Sequence, residues 1–591
     1  MKNLSDVGTL LGLVLLCLLA GCSGNGDGAF VIDQPMETPE WAQLQRELLA
    51  ANAEGAQVFA GKFLDERGYL LCIERWGGND GPDDAMENLT NWTLAYALGG
   101  PESVVDLYSK AWEGHLVQYT EARAAGIPMA ENGMYRREFI TAFDWEHTGE
   151  GLAAFHFYGL GKPHDTKYRE RVLRFAGFYN GDDPEAQNYD PEHKIIKSLH
   201  NGSRGPKLTP ATEQDWGGLP VPGAPDRLTR YATASNIAGD HPLNLVATTL
   251  GMDAYMLTGE AKYRDWVLEY AGAWRDRILA NGGNVPTNIG LDGTIGGEWG
   301  GKWYGGNFGW NFWPQESGRN YYLRGVRIGM GNALLLTGDA SWAEPLRQQI
   351  ANLYAASRVE DGRILLPAKH GDDGWYGYTP NQHFDVQRDL YLWSFNEADK
   401  ERIRDLPWIA FLDGKNPDYP VTALRNDLER VRGRMQRIKE DTSTRETRSS
   451  DYSQRFNPVA TTALINLTLG GNDPGTSGNS LHSQVRYFDP QAKRAGLPPD
   501  AAALVTGITP TGVTLTLVNT SPTASREIVV QAGAYGEHQF TTVATGGRSE
   551  QIDSPSFTVR LDPGSGASFE IGMRRYANQP AMKFPWDSAA Q

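Results

Sequence analysis

The stretch Asp144-Trp145-Glu146-His147-Thr148-Gly149-Glu150 gathers three carboxylates and an imidazole within two turns of helix. Residues three apart share a helix face, so Asp144 meets His147 and His147 meets Glu150. A carboxylate beside an imidazole orients it for proton transfer, which makes Asp144, Glu146 and His147 candidate acid–base groups. Asp240-His241-Pro242 offers a second such pair, with His241 as the candidate. A third cluster, Trp76-Gly77-Gly78-Asn79-Asp80-Gly81-Pro82-Asp83-Asp84, is a Gly-rich acidic loop entering a helix; Asp83 and Asp84 are candidate catalytic carboxylates, and Trp76 and Asn79 candidate substrate contacts. Asp80, Asp83 and Asp84 are spaced to reach a Ca²⁺. The loop lacks the register and closing Glu of the twelve-residue hand loop, so no metal is assigned. The paired-His zinc pattern is absent as well.

Other residues point to the handling of a polar ring. In His200-Asn201-Gly202-Ser203-Arg204, Arg204 suits a substrate carboxylate or sulfate, and His200 lies beside it. Trp299, Trp303, Tyr304, Trp310 and Trp313 are separated by glycines. Such a stretch cannot present its aromatics as a helix face, so Trp303 and Trp310 are read as groove walls or sugar-stacking platforms. Trp375 to Asp385 reads as a similar loop, adding Tyr376, Tyr378 and His383.

Helices must position these groups. Tyr96 to Gly100, Phe157 to Gly161, Tyr255 to Gly259 and Leu335 to Gly338 each end an apolar helix in glycine, and each is followed by an amphipathic helix. The first member of each pair is apolar nearly all round, hence inner; the second carries a charged face, hence outer. This describes a mainly α fold: an (α/α)6-type toroid followed by a small C-terminal antiparallel β domain, a solenoid of helical pairs being the alternative. Inner helices of a toroid run parallel, so their N-terminal ends share one mouth. Asp83-Asp84, Asp144 to His147, Asp240-His241 and Asn320-Tyr321 all precede inner helices and are expected to converge there. For any single Asp, capping a helix explains its place equally well.

From about Pro498 the pattern changes to alternating strands, as in Val513 to Val518, Glu527 to Ala532, Gln539 to Val543 and Ser556 to Leu561. At the other end, Leu10 to Ala20 is apolar but too short to span a bilayer, and it runs into Leu19-Ala20-Gly21-Cys22. The domain reading is a signal peptide over 1–21, a tether over 22–39, the toroid over 40–450, a connecting segment over 451–497, a β-sandwich-like domain over 498–575 and a tail over 576–591. Beyond residue 21 the chain holds only Cys22 and Cys72, and Cys72 is read as a plain buried thiol. The net charge of −17 argues against nucleic acid as a partner, because phosphate binding needs clustered cations. Nucleotide, dinucleotide and Gly-x-Ser-x-Gly signatures are absent from any convincing context.

Leu19-Ala20-Gly21-Cys22 resembles the lipobox of bacterial lipoproteins, which implies lipidation of Cys22 and a membrane-anchored protein in the periplasm or at the cell surface. The hairpins, acidic and aromatic loops and terminal β domain together resemble the six-hairpin glycosidases and toroid polysaccharide lyases. That resemblance is one of architecture over roughly residues 40 to 575, and it transfers no catalytic roles. It implies a glycoside hydrolase acting on an anionic, uronic-acid-containing oligo- or polysaccharide without a cofactor. The alternatives are a lyase using His and Tyr for β-elimination, and a lipoprotein that captures glycans without turnover.

Overall fold

The computed structural model describes residues 29–73, 85–121, 145–184, 188–197, 239–297, 300–305 and 321–590; of residues 119–121, 145–150, 321–322 and 588–590 only the backbone is described. The chain is mainly helical, with a separate β region at its C-terminal end. Helix α1 (Glu40–Phe63) comes first, followed by four hairpins: α2 (Trp92–Ala97) with α3 (Glu102–Glu121), α4 (Trp145–Gly161) with α5 (Thr166–Gly177), α6 (Thr248–Thr258) with α7 (Ala261–Ala280), and α8 (Tyr321–Thr337) with α9 (Glu344–Ala355). The 3-10 turn Pro242–Ala247 leads into α6. Helices α10 (Phe384–Ser394) and α11 (Tyr419–Glu440) follow.

Glycine makes the hairpins because the chain must enter the left-handed region there. Gly259 (φ 73°) donates its N–H to the Tyr255 carbonyl, and Gly338 (φ 68°) does the same to Leu334, each at 2.7 Å. The first helices are buried on all sides, as their all-round apolar sequence requires: every residue from Thr248 to Leu257 is buried. Helix α2 packs on α4, α4 on the Pro242–Ala247 turn and α6, and α6 on α8. The row continues through Arg327 of α8, paired with Asp389 of α10, and through Asn472, which donates to Asp389 from beyond the π-helical turn Ile465–Leu469. Trp92 of α2 donates to Asn457, just before that turn.

The C-terminal ends of these helices all meet the β region. Arg494 donates to the Tyr96 and Gly100 carbonyls, Arg486 to Leu160, the Met582 N–H to Met256 (2.9 Å), Arg575 to Leu392 and Trp393 (2.6 and 3.2 Å), and Tyr487 to Thr468 (2.7 Å). At Gly338 an added Cβ would lie 2.6 Å from Tyr576. The last carbonyls of a helix lack intrahelical partners and carry the negative end of its dipole, so arginines are stabilising there. The opposite, N-terminal ends therefore face away from the β region.

That region contains two five-stranded sheets, ordered β1-β14-β11-β7-β8 and β13-β12-β15-β10-β9, with β7 (Val485–Asp489), β8 (Arg494–Ala495), β9 (Ala501–Thr509), β10 (Gly512–Asn519), β11 (Arg526–Ala532), β12 (Gln539–Thr545), β13 (Arg548–Ser554), β14 (Ser556–Leu561) and β15 (Gly566–Arg574). Its extent differs from the 498–575 read from sequence. Strand β1 (Phe30–Ile32), from the expected tether, pairs parallel with β14, and β7 and β8 come from the expected connector. Strands this short carry no legible alternation and exist through their partners. The tail is also packed: Met582 and Phe584 are buried. Inside the helical region, β4 (Arg358–Glu360), β5 (Arg363–Gly371) and β6 (Gly374–Thr379) form a small sheet, so the loop expected from Trp375 to Asp385 begins as a strand and ends in α10. Gly377 (φ 68°) interrupts the alternation that would have revealed the strand.

Glu537, in the turn between β11 and β12, is buried and accepts the N–H groups of Ala534 and Tyr535 at 3.2 and 2.7 Å. Burial outweighs those donors and the nearby Arg575 guanidinium, pushing its carboxyl to about 7. A carboxyl raised in the fold contributes stability that is complete below its ordinary value of 4.5 and is lost as pH rises through 7. Asp240, raised to about 6, slopes the same way. The melting temperature is expected to fall between pH 5 and pH 8, and Glu537→Gln should flatten the slope by on the order of 3 kcal/mol. An unchanged slope would show that Glu537 does not titrate with folding.

Candidate functional site

Helices α8 and α10 bring one arginine to two carboxylates. Arg327 is buried; its Nε pairs with Asp389 Oδ2, its Nη1 reaches Asp385 Oδ2 at 3.4 Å, and its Nη2 donates to the Asp473 carbonyl at 3.1 Å. Asp385 and Asp389 are four apart on α10 and so share a face. Asn472 holds that face from the other side, donating to Asp389 Oδ1 at 2.7 Å and to the Asp385 carbonyl at 3.1 Å. The two carboxyls are driven apart. Burial dominates at Asp389 and raises it despite Arg327. At Asp385 burial also works upward, but Arg327, the Val386 N–H, His383 and Arg388 together hold it below the ordinary value, and 55% of its side chain is exposed. A pair of carboxyls with opposed shifts is the pattern that separates a proton donor from a base.

Behind this pair is a narrow cavity of about 10 Å³, room for about one water, lined by Arg327, Asp389, Trp393, Asn472, Asn479 and His482, among others. The Trp393 indole N–H, Asn472 Oδ1 and His482 Nδ1 are buried there without a hydrogen-bond partner among the described residues. Such atoms are costly unless satisfied, and a hydroxyl or a water, able to donate and accept, suits all three. The imidazole of His482 is held neutral by burial and by Arg327 and Arg575.

The cavity exists because the segment after Gly470 runs between the inner helices. Thr249 donates to Gly478 (2.7 Å), Ser480 to Asn332 (2.6 Å), and the Leu481 N–H to the Tyr535 hydroxyl (3.0 Å). Tyr535 also meets His156 of α4 at 3.2 Å, and His156 meets Asp253 of α6 at 2.5 Å. This segment lies within residues 451–497, expected from the sequence to be a connector. The signal was Gly470 to Ser483, polar and glycine-rich yet far too long for a simple turn.

The expected site residues fall into two groups. Asp83, Asp84, Asp144, Trp76, Asn79, Asp80, His200, Arg204, Trp310 and Cys22 lie outside the described residues, and the side chains of Glu146 and His147 are not described, although α4 does begin at Trp145. His241, Trp303, Tyr376, Tyr378 and His383 are placed. His241 is buried at the start of the turn into α6, and a Cβ added at Gly325 of α8 would lie 2.0 Å from the Pro242 carbonyl, so these two helix starts are adjacent. Its neighbour Asp240 is a structural knot. Its carboxylate accepts from the His241 and Ile196 N–H groups, Asn244, Tyr270 and Trp274. Burial still pushes it to about 6.

Asp240 pairs through its backbone with Ile289, and the Thr287 N–H donates to the Trp303 carbonyl at 2.8 Å. The Trp303 ring is 4.6 Å from His370 and 6.1 Å from Trp375, which is paired with His370 across β5 and β6. Tyr376 is 40% exposed, and the Arg358 guanidinium lies 4.0 Å from the Tyr378 ring. His383 is buried and enters α10 two residues before Asp385. Trp303, Tyr304 and Trp375 thus gather round His370 at the β5–β6 hairpin.

Among the described residues no group of three or more His, Cys, Asp or Glu side chains is placed to hold a metal ion, and no helix is long and apolar enough to cross a membrane. Cys72 is buried and forms no disulfide among the described residues.

No curated protein matches this sequence. Among solved structures, a GH127 β-arabinofuranosidase is similar at 10% identity with a TM-score of 0.27, over 92% of this chain and 81% of that one, a likeness too slight to argue from. The family model described as "Domain of unknown function (DUF8034)" matches residues 31–407 and 404–465. The α-helical region, with its Arg327–Asp385–Asp389 cluster, falls within that span, and the chain belongs to the DUF8034 family.

Proposed function

We propose that this protein is an exported glycoside hydrolase whose inner helices close into an (α/α)6 toroid and that it cleaves a uronic-acid-containing oligo- or polysaccharide. The observation that carries the reading is the carboxyl pair on α10: Arg327 reaches the half-exposed Asp385 at 3.4 Å and helps hold it charged, while burial raises Asp389 beside it. Asp385 serves as base or nucleophile, held charged by Arg327. The proton donor comes from the helix starts named by the sequence, Asp144 or Glu146, or Asp83 or Asp84. Glycoside hydrolysis needs such a second carboxyl across the scissile bond. Arg204 and His200 are the groups proposed for the uronate carboxylate.

The full chain should release reducing ends from one member of a panel of uronate and neutral polysaccharides. Absorbance in the unsaturated-uronate band in place of simple hydrolysis would establish a lyase, and no change in any glycan would end the enzymatic reading. Export is part of the same proposal. Cys22→Ser is expected to lose labelled fatty acid and leave the membrane fraction, and unchanged fractionation would remove the lipid anchor.

A further inference from the structure

An open pocket on the outer layer has no part in the cluster just described. It lies between Asn180, the short hairpin of β2 (Tyr189–Asp190) and β3 (Ile195–Ile196), and α7, and holds about 750 Å³ of empty space including its mouth. Tyr189, Pro191 and Trp266 form its apolar walls, while Asp265 and Glu269 form its polar ones. The Tyr189 ring meets Trp266 edge-on at 5.9 Å, and its hydroxyl donates to Glu269 at 2.8 Å, fixing both groups. Asp265 is 61% exposed and bound by Arg264 at 2.8 Å. The nearby Lys262 is engaged by Asp182 and Glu260 at 2.8 and 3.4 Å, and the lining itself holds no cation.

This combination selects a ligand. Aromatic and proline surfaces accept the C–H face of a sugar ring, and carboxylates accept its hydroxyl protons. An anionic unit would face the Glu269 carboxylate, whose partner is the neutral Tyr189 hydroxyl, with Arg264 already engaged by Asp265. We propose that the pocket is a second saccharide site, taking an uncharged sugar unit and anchoring a chain apart from the point of cleavage.

The test uses calorimetric titration of the full chain with xylohexaose, trigalacturonate and a glucosamine hexamer. Xylohexaose should bind best, and Tyr189→Ala and the pair Asp265→Asn with Glu269→Gln should each weaken it by 10-fold or more with the melting temperature retained. Trp266 is too deeply packed to serve as the test variant. Unchanged affinity in both variants, tighter binding of the anionic or cationic probe, or no saccharide binding at all would overturn the proposal. Xylohexaose binding lost in these variants, in a chain that cleaves no glycan, would uphold the pocket while ending the hydrolase reading.

Discussion

Asp385→Asn should lower the turnover of a cleaved saccharide by ~10²-fold or more while leaving the melting temperature nearly unchanged. The expectation follows from the position of this carboxylate. It is half-exposed, so its pairing with Arg327 at 3.4 Å adds little to stability. Its charge is nevertheless maintained, because Arg327 and the Val386 N–H offset the burial that would protonate it. Asparagine keeps the shape and removes the proton acceptor. Steady-state kinetics and thermal unfolding on the same preparation separate chemistry from folding. A variant that keeps most of its rate would take Asp385 out of the reaction and return the role to Asp144, Glu146 or the Asp83–Asp84 pair.

The largest effect on stability is expected from Arg327→Met, at ~3–5 kcal/mol. Asp389 is 5% exposed and has Arg327 and Asn472 as partners. Without the guanidinium, a buried carboxylate is left with a single amide donor, and the cost is that of its desolvation. The carboxyl is already raised by burial, so protonation relieves part of that cost. The variant should therefore be less impaired at pH 5 than at pH 8, a dependence measurable by denaturant titration at both values. Arg327→Met combined with Asp389→Leu removes both charges and should recover most of the loss. Equal stability of Arg327→Met and the parent would show that the ion pair is not what holds α8 to α10.

Local pattern was enough for the helical hairpins and for four of the ten strands in the two large sheets. The Gly-stopped apolar runs ending at Gly259 and Gly338 are the hairpins observed, because a left-handed residue after an all-apolar helix leaves little else for the chain to do. Val513 to Val518 and Ser556 to Leu561 fall within strands β10 and β14 for the same reason: alternation with period two fixes which face is buried. The helix starts at Trp145, His241 and Tyr321 were also legible, as was a buried Cys72.

The Arg327–Asp385–Asp389 cluster was not legible. Arg327 falls in the interior of an apolar helix with no sequence neighbour to pair with, Asp385 sits at the end of the stretch expected as an aromatic loop, and nothing in the local pattern singles out Asp389. Only the packing of α8 against α10, with Asn472 inserted from more than eighty residues further on, makes them partners. The same holds for β1, β7 and the segment after Gly470: each is too short or too polar to announce its place, and its backbone and side-chain hydrogen bonds are completed by distant residues. Sequence determined which elements form, since helix and strand periodicity is a property of neighbours along the chain. Tertiary structure decided which charges meet, because desolvation and pairing depend on neighbours in space.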